Sequence, residues 1–212
     1  MCFAWASYTI IFSEHLEHLL TDCHLQVFSM TREQLIERIA DAAGPLGPFL
    51  TLEEFHQEEE RWLSEASLEW VGVLIEILMN PPEIAAQFPW NENWNYALGE
   101  ILVRCGQLDV PTFLREVEPF FHDHRARQTL IWVVGDLHRP EALDWLEAIL
   151  TIDRLTPQEY DELVYACEVV GGPSACRVLR RMRKSVPGEM TSLLRDIESA
   201  LSIAESSLDP SH

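Results

Sequence analysis

Basic residues are scarce in this chain. Fifteen Lys and Arg stand against thirty-five Asp and Glu, a formal charge of −20 at neutral pH, and the first thirty residues contain no Lys or Arg. Binding to a phosphate backbone draws its affinity from Lys and Arg, so nucleic acid is not an expected partner. A basic protein would instead be steered toward such a surface. Cysteine pairing is missing too. Cys2, Cys23, Cys105, Cys167 and Cys176 are odd in number, scattered and without a CxxC pair, which favours free thiols in a reducing compartment and makes the cytoplasm the expected location. Long hydrophobic runs are lacking as well. Met1 to Phe12 is apolar, but no basic residue precedes it and Glu14 ends it, a poor signal peptide and too short to span a bilayer. There is no Gly-x-Ser-x-Gly elbow, phosphate loop or dinucleotide fingerprint, and no alternating pattern of the kind that marks strands.

What is present is helical texture. An apolar fraction of 47% over 212 residues is enough to bury a sizeable core as one domain, or one domain with an appendage. Thr31 and Gln34 form a T-x-x-Q capping box ahead of Leu35, Ile36 and Ile39, and Met30, where the texture changes, is a candidate native start. A second box, Thr51 with Glu54, opens an acidic stretch through Glu58, Glu59 and Glu60. Val71, Leu74, Ile75 and Leu78 mark a core helix, and Ala97, Leu98, Ile101, Leu102 and Cys105 follow i, i+3, i+4 spacing. The run Leu130 to Val134 is apolar on all sides and is expected to be buried. Thr156-Pro157-Gln158-Glu159 combines a cap, a first-position proline and a third-position glutamate. Later stripes run through Leu163, Val164 and Cys167, then Leu179 and Met182, and finally Leu193, Ile197 and Leu201.

These elements recur. Pro82, Pro111, Pro140 and Pro173 are spaced 29, 29 and 33 apart, each where a second helix of a hairpin would begin, a position that suits proline's fixed φ and missing N–H. Gly106, Gly135 and Gly171-Gly172 precede the last three and are expected to take the left-handed conformation that ends a helix. One such hairpin cannot cover its own apolar face, whereas a stack can.

The stretches from Ala97 through Gly106 to Leu114, and from Leu130 through Gly135-Asp136 and Pro140-Glu141-Ala142-Leu143 to Leu146, resemble the short HEAT-like repeats named after phycobilisome lyases. The resemblance covers about residues 67–186 and implies an all-α fold: an α-solenoid of stacked hairpins. Residues 1–66 are expected to form an atypical N-terminal helical cap, 187–205 a C-terminal capping helix and 206–212 a tail. Relatives with chemistry fit poorly. Deoxyhypusine hydroxylase holds iron with His-Glu dipeptides, which do not occur here, and HEAT-like DNA glycosylases need a basic face. A tetrapyrrole-lyase-like subunit is the least favoured reading.

Several side chains are candidates for a site. Arg177, Arg180, Arg181 and Lys184 fall at i, i+3, i+4 and i+7 on one helix face. The resemblance implies that second helices line the concave side, where such a stripe would meet an acidic segment of a partner or be neutralised by the protein's own carboxylates. Asp144 and Trp145 sit on the second helix of one unit, with Arg115 near the matching place of the unit before. Trp and Arg are frequent interface hot spots, though Trp145, like Trp90, Trp94 and Tyr96, also suits core packing. His15, His18, Cys23 and His24 match no structural zinc spacing, and His122 and His124 flank Asp123 in a turn, so no metal or other cofactor is expected. Taken together, the residues lead to an expectation of a non-enzymatic, protein-binding repeat protein: an adaptor, scaffold or assembly chaperone. The alternative is an acidic immunity protein that covers a basic toxin with carboxylates such as Glu53, Glu54 and Glu58.

Overall fold

The computed structural model describes residues 30–44, 66–88, 91–151 and 155–206. The His15–His24 cluster, the box at Thr51, the acidic stretch after it, Trp90 and the tail beyond Ser206 lie outside the described residues. A compact unit begins at Thr31. All regular structure described within it is helical, as the absence of strand periodicity led one to expect. The α-helices are α1 (Arg32–Ala43), α2 (Val71–Met79), α3 (Asn91–Leu108), α4 (Val110–Val117), α5 (His124–Gly135), α6 (Pro140–Ile149), α7 (Pro157–Val170), α8 (Gly172–Ser185) and α9 (Thr191–Ser206).

Local chemistry explains most of the helix starts. Thr31 accepts from the Gln34 N–H while its own N–H donates to Gln34 Oε1 at 2.8 Å, so both arms of the capping box at α1 are made. Thr156 and Glu159 do the same at α7, with Pro157 at the first helical position. Asp109 caps α4 by accepting from the Thr112 N–H and hydroxyl, at 3.3 and 2.7 Å, and Asp123 caps α5. Three of the four spaced prolines stand at the first or second position of α4, α6 and α8. Pro82 is the exception: it precedes only a 3₁₀ segment, Glu83–Gln87, so no α-helix pairs with α2 at that point.

The glycine expectation needs correcting at two of its three positions. Gly106 lies inside α3 and Gly135 is the last residue of α5, and neither has a positive φ. Their role is close approach. A Cβ on Gly106 would sit 2.7 Å from Leu137 Cδ2, and one on Gly135 would sit 2.6 Å from Ala166 Cβ. The left-handed residue after α5 is His138, with φ 53°. Gly171 and Gly172 do carry positive φ, 67° and 74°. Gly171 pairs its φ with ψ −165° as the junction of α7 and α8, a region that is essentially glycine-only.

Packing proceeds in steps along the chain. α1 and α5 both lie against α3, α7 lies against α5, and α9 against α7, while α6 contacts α8. Each of α3, α5 and α7 also touches the helix that follows it. The apolar stripes read from the sequence face inward: Leu98, Leu102 and Cys105 on α3, Leu163 and Cys167 on α7, Leu179 and Met182 on α8 and Ile197 on α9 are fully buried. In the apolar run of α5, Leu130, Ile131, Val133 and Val134 are fully buried, but Trp132 is only half-buried. Cys105, Cys167 and Cys176 are buried free thiols, and burial pushes Cys105 up to about 11 and Cys167 up to about 12. A thiol held protonated in this way is inert. Among the described residues no helix is long and apolar enough to cross a membrane.

Among the described residues, a polar pair penetrates this core. Arg127 of α5 and Glu159 of α7 are 6% and 2% exposed. The guanidinium donates from Nε to Oε1 at 2.6 Å and from Nη2 to Oε2 at 3.1 Å, the two-pronged geometry that Arg and a carboxylate share. Glu159 Oε2 also accepts the Thr156 N–H at 2.7 Å. The capping glutamate of one helix is thus the buried counter-ion of its neighbour.

Candidate binding groove

The site residues expected from the sequence all lie on α4, α6 and α8. Arg177 of α8 donates from Nε to Glu147 Oε2 at 2.9 Å and from Nη2 to Asp144 Oδ1, both on α6. Arg181 reaches Glu147 Oε1 at 3.1 Å, and Arg180 reaches Glu205 Oε1 of α9 at 2.7 Å. The Arg177 guanidinium, aided by Arg181, holds the Glu147 carboxyl below its ordinary range. So Asp144 is brought together with Arg177 and Arg181 through Glu147 in an exposed ion-pair network, and Arg180 pairs separately with Glu205, which leaves little uncompensated positive charge on three of the four basic residues. Pairs this exposed stabilise weakly. Lys184 is exposed and makes no ion pair among the described residues. Trp145 is half-buried and meets Phe121 edge to face, with ring centroids 3.9 Å apart. Arg115 stays on α4, donating to Thr112 Oγ1 at 3.0 Å, and joins none of these contacts.

A different surface holds a cavity. Across α3, α5 and α7 runs an open groove of about 420 Å³ lined by Asn95, Tyr96, Gln128, Thr129, Trp132, Glu162 and Tyr165. Helical spacing puts these residues together: Gln128, Thr129 and Trp132 share one face of α5, and Glu162 and Tyr165 one face of α7. Its wall is aromatic. Tyr96 stacks on Trp132 with centroids 5.5 Å apart and planes 26° from parallel, within the favoured offset range. Gly99 makes this possible, because a Cβ there would lie 1.9 Å from Trp132 Cζ3. With no side chain on α3 at that point, the indole lies down against the helix. Tyr96 and Tyr165 keep 52% and 41% of their surface exposed, so two phenol rings remain open to solvent. Tyr96, read as core, is the opposite of Trp94, which is 1% exposed.

The groove is also acidic. None of its lining residues is basic. Glu162 Oε1 accepts from Gln128 Nε2 at 3.4 Å, and Asp136 Oδ1 accepts from the Tyr165 hydroxyl at 3.2 Å. Burial raises the pKa of Glu162, and the charges of Asp161 and Asp136 push it the same way, against the Gln128 amide. Asp136 is raised by burial too, with the Tyr165 hydroxyl, His138 and Trp132 opposing. Tyr165 is raised by burial and by Asp136, Glu100 and Glu162, so its phenol stays a hydrogen-bond donor. Among the described residues neither Glu162 nor Asp136 has an Arg or Lys partner within ion-pair distance. A second, smaller cavity of about 300 Å³ shares Tyr165 and is lined by Asp161, Glu168 and Asp196 as well, extending the acidic character onto α9.

This electrostatic arrangement has a measurable consequence. A carboxyl whose folded pKa lies above its unfolded value binds protons more readily when folded, so its ionisation opposes folding at neutral pH and is relieved as pH falls through the raised value. Glu162→Gln is therefore expected to raise the thermal midpoint at neutral pH by about 1–2 °C, a figure kept small because the group is half exposed to solvent. The gain should shrink as pH is lowered through the carboxylate range, where the wild-type group protonates as well. A lowered midpoint at neutral pH would mean that the charge is engaged favourably.

Among the described residues no group of three or more His, Cys, Asp or Glu is placed to hold a metal ion. His122, the last residue of the 3₁₀ segment Glu118–His122, and His124, the first residue of α5, are exposed, and Asp123 between them is held below the ordinary carboxylate range by hydrogen bonds from Arg125. In sequence the groove is hard to see: Tyr96, Trp132 and Tyr165 lie on three helices, and only the half-polar spacing of Gln128 and Trp132 hints that α5 has an outer face. No family model, curated protein or solved structure shows significant similarity to this chain.

Proposed function

We propose that this chain is a non-enzymatic protein-binding protein, an adaptor or scaffold, built as a solenoid of short HEAT-like hairpins. The stepwise packing supports the architecture: α3, α5, α7 and α9 follow one another in one row, and α6 and α8 pair in a second. Polar contacts between successive helices also fall about one unit apart, as Arg127 to Glu159, Tyr165 to Asp136 and Arg177 to Glu147 do. The observation that carries the function is the groove across α3, α5 and α7, where exposed aromatic rings adjoin the carboxylate of Glu162, which has no Arg or Lys partner among the described residues, on a helical scaffold. Aromatic anchors in a partly desolvated setting are what protein interfaces use. The net charge of −20 favours a basic partner, delivered by long-range attraction. A basic toxin covered by an acidic immunity protein would be one such partner.

Tagging the full chain in its native cells and recovering what co-purifies is the direct test. The expected result is a stoichiometric protein partner whose association weakens as salt is raised. A chain that brings down no protein, or that carries a stoichiometric chromophore or metal, would overturn the reading in favour of a lyase-like or metal-dependent activity.

A further inference from the structure

The groove has more specific chemistry than a generic contact surface. Trp132 and Tyr96 present stacked π faces, and the ring quadrupole of such a face attracts a cation set over it. Glu162 places a carboxylate beside the rings, and the other charges acting on it are those of Asp161 and Asp136, which repel it. Glu162 is engaged through one oxygen by the Gln128 amide, while Asp136 accepts from the Tyr165 hydroxyl and is also acted on by Trp132 and His138. An anion would be rejected here, and a purely apolar side chain would leave the carboxylate facing it without water. A planar cation satisfies both halves of the site. Its face stacks on the indole and its edge donates to a carboxylate.

We propose that this groove receives an arginine side chain from a basic segment of a partner protein laid across α3, α5 and α7, with Trp132 and Tyr96 as the stacking wall and Glu162 as the acceptor. The adjoining acidic cavity beside Tyr165, with Asp161, Glu168 and Asp196, takes further basic residues of the same segment. The inference rests on the protein-binding reading above and specifies the chemistry of its partner.

The test uses the full chain and a fluorescein-labelled tetra-arginine peptide, followed by anisotropy, with the tetra-citrulline peptide as a neutral isostere. Citrulline keeps the planar shape and removes the charge. Tetra-arginine is expected to bind, citrulline to bind at least about tenfold more weakly, and Glu162→Gln to weaken tetra-arginine by about tenfold. Glu141→Gln, which removes the same charge from an exposed position of α6, should change binding less than about twofold. Glu162→Gln is expected to melt no lower than wild type, so lost affinity would not reflect unfolding. A shift of the Trp132 indole resonance on titration is the site-specific signature expected. Equal weakening by Glu141→Gln would show a diffuse charge effect and overturn the groove, as would undiminished binding of citrulline or no binding of tetra-arginine. If a native partner were still captured by Glu162→Gln as tightly as by wild type, the groove would fall and the protein-binding reading would stand. A wild-type chain that captures no native partner at all would remove the protein-binding reading itself.

Discussion

Glu159→Gln is expected to lower the free energy of unfolding by about 3–5 kcal/mol, the scale on which removing one member of a buried ion pair destabilises a fold. The substitution is chosen to isolate charge. A glutamine at the third helical position still accepts the Thr156 N–H and completes the capping box, so the start of α7 is preserved. What is lost is the counter-charge of Arg127, a guanidinium 6% exposed and held otherwise, among the described residues, by a 3.5 Å contact to the Phe121 carbonyl. A cation that cannot lose its proton has no cheap escape from burial, so the local structure must open to water or the helices must part. Chemical denaturation reads the loss as a lower midpoint at unchanged slope. Adding Arg127→Met to Glu159→Gln should recover most of it, because a neutral pair of similar volume avoids the desolvation cost altogether. If Glu159→Gln alone changed stability by less than about 1 kcal/mol, water would have to reach the pair.

How far the sequence foretold this molecule depends on the range of the interaction concerned. The capping boxes at Thr31 and Thr156 and the prolines of α4, α6 and α8 act within one helical turn, so their sequence spacing is their geometry. The buried stripes of α3, α7, α8 and α9 follow from periodicity for the same reason. The second role of Glu159 was illegible because Arg127 lies 32 residues away. The stripe of Arg177, Arg180 and Arg181 was legible as a stripe, and internal neutralisation was one of its two expected fates. Its partners Asp144, Glu147 and Glu205 came from the fold alone. Gly106 and Gly135 were placed correctly beside helix ends but given the wrong duty, since one sequence does not distinguish a glycine that turns the chain from one that lets two helices meet. Asp109 and His138 do the work of ending one helix and starting the next. The groove escaped notice because its rings come from three helices, and because Trp132 sits in a run whose other members are buried.

The duty assigned to Gly135 sets the second large effect. A methyl group added there would lie 2.6 Å from Ala166 Cβ and 3.0 Å from Ala166 Cα, a clash with the wall of α7 and not with the movable end of a long side chain. α5 and α7 would have to separate by several tenths of an ångström along an interface that also holds the Arg127–Glu159 pair. Overpacking of this kind costs about 1–3 kcal/mol. It opposes the gain of up to about 1 kcal/mol that alanine brings to a helix over glycine. The clash wins because it involves backbone, and Gly135→Ala is expected to destabilise by about 2 kcal/mol. Gly72 of α2 supplies the control: it is exposed, and nothing lies within 4 Å of where its Cβ would go. Gly72→Ala should therefore stabilise by about 0.5–1 kcal/mol, so that the same chemical change has opposite signs at the two helices. Ala166→Gly placed on top of Gly135→Ala removes the nearer of the two clashing atoms and leaves the 3.0 Å approach to Cα. The double variant should regain part of the loss, giving a coupling of about 1 kcal/mol in a double-mutant cycle. Strict additivity would mean that the helices are free to part, and would remove close approach as the reason for glycine at this position.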